Sequence, residues 1–203
     1  MKTLLRGTLL AGLADPTLDS QRLFRAALEA LSRPGRIVTL PDTLPDGPPA
    51  PLMPATAALA LALFDYETPV WLDEVANTPA VCDWLRFHCG CPLVTDKAAA
   101  DFAIIAGALP DLSDFPVGSD AFPDRSATLL VQVAGLEAGG DLRLSGPGID
   151  GDISITIKGL PDTLPTLWEA NQSLFPCGLD LLLTAGSMLL GLPRTTRIDR
   201  RKE

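Results

Sequence analysis

Thr128-Leu129-Leu130-Val131-Gln132-Val133-Ala134 decides the fold. An extended chain sends successive side chains to opposite faces, and here both faces are apolar. A strand of that kind belongs inside a sheet that is covered above and below. Leu179-Asp180-Leu181-Leu182-Leu183 has the same character, and a hairpin through Gly186 follows it. Asp180 interrupts this second run. A buried carboxylate is costly unless it is paired or hydrogen-bonded, so backbone amides or an arginine such as Arg194 are its expected partners.

Working outward from these two strands, helices and strands interleave. Leu23, Phe24, Ala27, Leu28 and Leu31 recur at helical spacing and predict a helix over 20–32. Asp19 or Ser20 can cap its start, and Pro34-Gly35 stops it. Residues 36–40 read as a strand, 41–54 as a proline-rich surface connection, and 55–64 as a small-residue helix able to pack close to a sheet. Strands are expected at 70–72 and 102–106, and a helix at 79–87. Residues 109–125 read as a loop rich in Pro, Asp and Ser. Two alternating strands, 142–144 and 153–157, flank a glycine-rich turn, and 164–173 reads as a helix. The class is therefore α/β, with a mixed central sheet flanked by helices. The 203 residues suit a single domain spanning 1–203.

Composition narrows the function. The chain is 47% hydrophobic and 20% charged, an ordinary globular mix. A net charge of -9 argues against a nucleic-acid partner, which calls for a basic face. The end of the chain departs from this balance, because Arg194, Arg197, Arg200, Arg201 and Lys202 stand against only Asp199 and Glu203. Such a tail is either a solvated end or a dock for an acidic partner or anionic ligand. Cys82, Cys89, Cys91 and Cys177 are too few and too irregular for a disulfide framework, and read as free thiols of a reducing compartment. The start, Met1-Lys2-Thr3-Leu4-Leu5-Arg6, is not read as a secretory leader, since Arg6 interrupts the apolar stretch. The apolar run 57–64 is far short of a membrane span. A cytoplasmic protein without membrane contact is the consistent expectation.

The chemistry-bearing motifs are incomplete. Gly146-Pro147-Gly148-Ile149-Asp150-Gly151 has the spacing of a dinucleotide fingerprint, but a strand pattern follows where a helix is required. It reads as a strand-to-strand turn. His88, the single histidine, sits near Arg86, Cys89 and Cys91. Those cysteines are too close together for a zinc site, and no second pair accompanies them. A Cys177–His88 nucleophile pair needs the fold to bring the two together. There is no nucleophile elbow and no phosphate loop of the Walker type. No cofactor and no metal are expected, and no catalytic residue is assigned.

Phe175 to Thr184, together with Leu192-Pro193-Arg194-Thr195-Thr196-Arg197, resembles the C-terminal signature of the PhnH family, a subunit of the bacterial carbon–phosphorus lyase core complex. Three further blocks carry the resemblance in the expected order. They are Phe24 to Gly35, then Thr68-Pro69-Val70-Trp71-Leu72 with Leu85-Arg86-Phe87-His88, then Leu142 to Ile149. The resemblance implies a fold similar to the large domain of pyridoxal-phosphate-dependent transferases, without the cofactor. It implies a non-catalytic or co-catalytic subunit of the system that degrades organic phosphonates. That system converts ATP and methylphosphonate into alpha-D-ribose 1-methylphosphonate 5-triphosphate. The implied partners are the other core subunits, with a homodimer when the chain is isolated. The alternative is a stand-alone enzyme that binds a phosphorylated or phosphonate ligand.

Candidate ligand or partner contacts are Arg194, Thr195 and Thr196, together with Arg86 and His88. A guanidinium beside hydroxyls can hold an oxyanion through forked and single donors. If 192–197 is extended, Arg194 and Thr196 share one face, and Thr195 and Arg197 the other. Two roles compete for Arg194: inward neutralisation of Asp180, or an outward contact.

Overall fold

The computed structural model describes residues 10–44 and 46–200. The leader-like start and the basic residues Arg201 and Lys202 lie outside the described residues. A seven-stranded sheet runs in the order β1 (Val38–Thr39), β11 (Met188–Leu192), β10 (Asp180–Ala185), β7 (Thr128–Gln132), β4 (Phe102–Ile105), β2 (Val70–Leu72), β3 (Leu93–Val94). The strands from β10 to β3 are parallel, while β11 is antiparallel to both β10 and β1, so the sheet is mixed. β7 and β10 are interior neighbours in register, Leu130 opposite Leu182. Their two-sided apolar character puts them there.

The strict alternation of side chains divides the core in two. Ile104, Leu130, Leu182 and Leu189 face a layer of three helices, α1 (Pro16–Ser32), α2 (Pro54–Leu63) and α3 (Pro79–His88). Ile105, Leu129, Val131, Leu181 and Leu183 face the opposite way. There they meet α4 (Leu164–Gln172) and a second sheet, ordered β12 (Arg197–Arg200), β8 (Gly135–Ser145), β9 (Asp152–Lys158). Two layers thus enclose the central sheet.

Local chemistry sets the element ends. α1 begins four residues before the predicted start. Asp15 accepts the N–H groups of Thr17 and Leu18, Pro16 takes the first helical position, and Asp19 accepts from Asp15 N at 2.9 Å. α2 has no side-chain cap of its own. Gln132, the polar residue of β7, reaches across, accepting from Met53 N at 2.5 Å and donating to Pro51 O at 3.2 Å. Thr56 and Thr184 exchange a buried hydroxyl bond of 2.7 Å between α2 and β10. α1 lies so close to β11 that a Cβ on Gly191 would stand 2.4 Å from Ala30 O.

Some expectations need correction. The segment 109–125 is not all loop: β5 (Val117–Ser119) and β6 (Phe122–Ser126) form a hairpin. β8 spans eleven residues rather than three and is irregular around Gly139 and Gly140. The glycine-rich segment at 146–151 is the expected turn between β8 and β9. Residues 193–196 form a turn closed by Thr196 N donating to Pro193 O at 2.8 Å, so this stretch is not extended.

Candidate functional site

The turn at 193–196 separates residues that an extended strand would have grouped. Arg194 points inward. Its Nε donates to Asp180 Oδ1 at 3.2 Å and its Nη2 to Asp180 Oδ2 at 2.6 Å. Nη2 also donates to Ser126 Oγ, and Nη1 donates to Pro123 O at 2.8 Å and Pro176 O at 3.3 Å. The Arg194 amide adds a 2.7 Å bond to Asp180 Oδ1. A guanidinium has five N–H donors, and here each of its three nitrogens is engaged. Arg194 therefore ties together the start of β10, the β5–β6 hairpin and the 175–178 loop.

The other members of the segment diverge. Thr196 is fully buried, and its hydroxyl has no hydrogen-bond partner among the described residues. Its carbonyl accepts from Trp168 Nε1 of α4 at 2.8 Å. Thr195 lines a cleft of about 590 Å³ together with Ser145, Gly146, Pro147, Gln172, Phe175 and Arg197. A second cavity of about 450 Å³, between α4 and β12, shares Gln172 and Arg197 with the first, so the two lie side by side as the lobes of a groove. The register of β12 on β8 sets Arg197 opposite Ser145. Sequence reading did not single out Ser145, Gln172 or Phe175 as site residues, and held Arg197 only as part of the basic stretch that could meet an anion or a partner. Ser145, Phe175 and Arg197 lie in separate resemblance blocks and Gln172 lies outside them, and their convergence comes from packing α4 beside β12.

Arg86 and His88 stand elsewhere. Arg86 is exposed at the end of α3, 3.8 Å from Asp83. His88 donates from Nε2 to Leu10 O at 3.0 Å and packs its ring edge-on to Trp84 and Phe87. It pins the segment before α1 onto α3. No hydrogen bond, ion pair or cavity among the described residues joins Arg86 or His88 to the 193–197 turn.

All four cysteines are free thiols. Cys89 Sγ donates to Ala60 O at 3.8 Å and has Cys91 as a side-chain hydrogen-bond neighbour. The bond with Cys91 and burial push the Cys89 thiol up, and the same bond holds Cys91 below its ordinary value. Cys177 Sγ turns to Asp120 Oδ1 at 3.9 Å while His88 turns to Leu10, so the structure does not pair them. No group of three or more His, Cys, Asp or Glu among the described residues is arranged to hold a metal ion. Lys97 and Lys158 are engaged with Asp114 and Glu137.

Open α/β sheets usually bind ligands outside the carboxyl ends of the strands, where strand order reverses. In this sheet the reversal lies between β2 and β4. Asp73, buried just beyond β2, fills that place. Its carboxylate accepts from Ala76 N at 2.7 Å, Ala106 N at 3.0 Å and Gly107 N at 2.7 Å. The groove beside Thr195 and Arg197 lies at the opposite end, beside the amino end of β10.

Comparison with known proteins places this geometry in a family. Residues 11–199 match the model of the bacterial phosphonate metabolism protein (PhnH). A protein of Rhizobium meliloti (strain 1021), named alpha-D-ribose 1-methylphosphonate 5-triphosphate synthase subunit PhnH, is 42% identical over 189 residues, covering 92% of this chain and 94% of the relative. A protein of Stutzerimonas stutzeri, provisionally named C-P lyase subunit protein HtxG, is 30% identical over 183 residues, covering 88% of this chain and 85% of the relative. With nearly its whole described length matched, the chain belongs to the bacterial phosphonate metabolism protein (PhnH) family.

Proposed function

We propose that this chain is a subunit of a carbon–phosphorus lyase system, supporting the formation of alpha-D-ribose 1-methylphosphonate 5-triphosphate from ATP and methylphosphonate. The observation that carries this is the 42% identity, over 189 residues, with a relative named as a subunit of that synthase. The geometry agrees with a supporting role. Arg194, His88, Asp73, Lys97 and Lys158 are each engaged within the fold. The partners are the other core subunits, and the setting is the cytoplasm. Among the described residues no helix is long and apolar enough to cross a membrane. Leu18, Phe24 and Leu28 stand exposed on α1 and supply apolar surface for a partner, or for a second copy in a homodimer of the isolated chain. Arg86 and His88, at the end of α3, are further partner contacts in this reading. The mixed sheet, with α1, α2 and α3 on one face and α4 on the other, underlies the proposed likeness to the large domain of pyridoxal-phosphate transferases.

Co-expression with the other core subunits, followed by size-exclusion chromatography, tests the proposal. The chain is expected to elute with them, and ATP with methylphosphonate is expected to react only in the assembly. Turnover by the purified chain alone would instead establish the second reading, a stand-alone enzyme. The groove at Thr195 and Arg197 is the feature that favours that reading.

A further inference from the structure

The groove differs from the rest of the polar structure in one respect. Ser145, Gln172, Thr195 and Arg197 line its larger lobe, and none of their side chains has a hydrogen-bond or ion-pair partner among the described residues. Eight of the other basic side chains, Arg194 among them, are ion-paired. Arg197 is therefore a cavity-lining guanidinium whose donors meet no partner among the described residues, beside two hydroxyls and an amide of which the same is true. Phe175, 62% exposed, and Pro147 form an apolar wall of the same lobe.

We propose that this lobe binds a phosphorus oxyanion that carries an organic group. Arg197 supplies the charge and a forked donor, while Thr195 and Ser145 add single donors that suit a tetrahedral head. Phe175 and Pro147 take the organic group. Among the described residues Arg197 is the one charged side chain lining this lobe, while Glu169, Asp199 and Arg200 line the adjoining cavity, so an anion is favoured in this lobe and not in its neighbour. A volume of about 590 Å³ exceeds what a bare phosphate fills and lies within the range of small-molecule pockets. Gly146 fixes the floor: a Cβ there would stand 2.8 Å from Thr195 O, so the β8–β9 turn is seated directly on the 193–196 turn. The inference deepens the subunit reading and rests on it only for the biological source of the ligand.

The test uses the full-length chain labelled with nitrogen-15 and four probes: propylphosphonate, propyl phosphate, inorganic phosphate and butyrate. Propylphosphonate, propyl phosphate or both are expected to shift the amides of Ser145, Gly146, Thr195 and Arg197, and to bind more tightly than inorganic phosphate or butyrate. Preference for propylphosphonate assigns the site to phosphonates, and preference for propyl phosphate assigns it to phosphate esters. Arg197→Ala, at an exposed position that leaves the fold intact, is expected to weaken binding about tenfold to a hundredfold, the scale of a charged hydrogen-bonded contact. Thr195→Val is expected to weaken it by a smaller factor. No shift in the four amides, or Arg197→Ala binding as the wild type does, overturns the proposal. So does inorganic phosphate binding as tightly as the organic probes. Wild-type co-elution with the core subunits is measured on the same preparation. Co-elution without ligand binding overturns the ligand site alone, and ligand binding without co-elution overturns the subunit reading alone.

Discussion

Replacing Arg194 by alanine should destabilise the fold more than any other single surface-proximal change. The Arg194 and Asp180 side chains retain only 14% and 20% of their exposure. Truncation removes every guanidinium bond to Asp180, Ser126, Pro123 and Pro176 and leaves the carboxylate with the Arg194 amide as its remaining partner in the turn. Breaking a buried pair costs about 3–5 kcal/mol. Residual solvent access and the surviving amide bond bring the expectation to about 3 kcal/mol, the lower end of that range. For a chain of this size that corresponds to a fall in Tm of about 6–12 °C. Differential scanning calorimetry on wild type, Arg194→Ala, Asp180→Ala and the double variant measures it. The double variant should lose less than the sum of the singles, because the second truncation removes a group already left without its partner. Arg194→Lys should rescue poorly, since a point charge cannot serve a carboxylate, a hydroxyl and two carbonyls in fixed directions. A fall in Tm under about 2 °C, or strict additivity, would refute the reasoning.

Thr56→Val should cost about 1–2 kcal/mol in urea denaturation, because it strands the Thr184 hydroxyl on a weak 3.5 Å contact with Val131 O; adding Thr184→Val should recover part of the loss. Native-state alkylation followed by mass spectrometry should show Cys82 and Cys89 reacting more slowly than a free thiol near about pH 8, where both hold their protons above the ordinary value. Free-thiol rates at either position would count against this. Asp111 accepts from the amide and hydroxyl of Ser113, which hold its carboxyl below the ordinary 3.8, so an NMR titration should give a midpoint under that value. The sign follows: its contribution is present above the unfolded value and is lost as pH falls through the lowered one.

The interior of the fold was legible because its residues obey a strong constraint. β7 and β10 are apolar on both faces, and only a covered sheet accommodates that. The first turn of α1 was missed because apolar spacing marks the buried stripe, whereas Thr17 and Leu18 are exposed there; the usable signal was Asp15-Pro16, a cap followed by proline. The β5–β6 hairpin was missed for a different reason. Phe122-Pro123-Asp124-Arg125-Ser126 has no buried face, and the hairpin is tied down by Arg194, 71 residues from Pro123 in the chain. The pairing of Asp180 with an arginine could be read from the cost of burying a carboxylate. The groove could not, because Pro193 starts a turn that sends Arg194 inward, and the β12 register then sets Arg197 opposite Ser145. One turn thus divides four adjacent residues between the core, the clamp and the cleft.

Asp73 has a consequence for how this scaffold can change. Three amides converge on its carboxylate as they would on a ligand's phosphoryl group, so the chain carries its own counterfeit of the anion such sheets commonly receive. A nucleotide or coenzyme arriving there has to evict a tethered competitor present at very high local concentration. Innovation at that rim is thereby discouraged, and variation is channelled to the opposite rim. Conversely, shortening this one side chain, as in Asp73→Gly, uncovers three preoriented donors without moving a strand. The same substitution makes this position the natural starting point for building a new anion receptor into the scaffold.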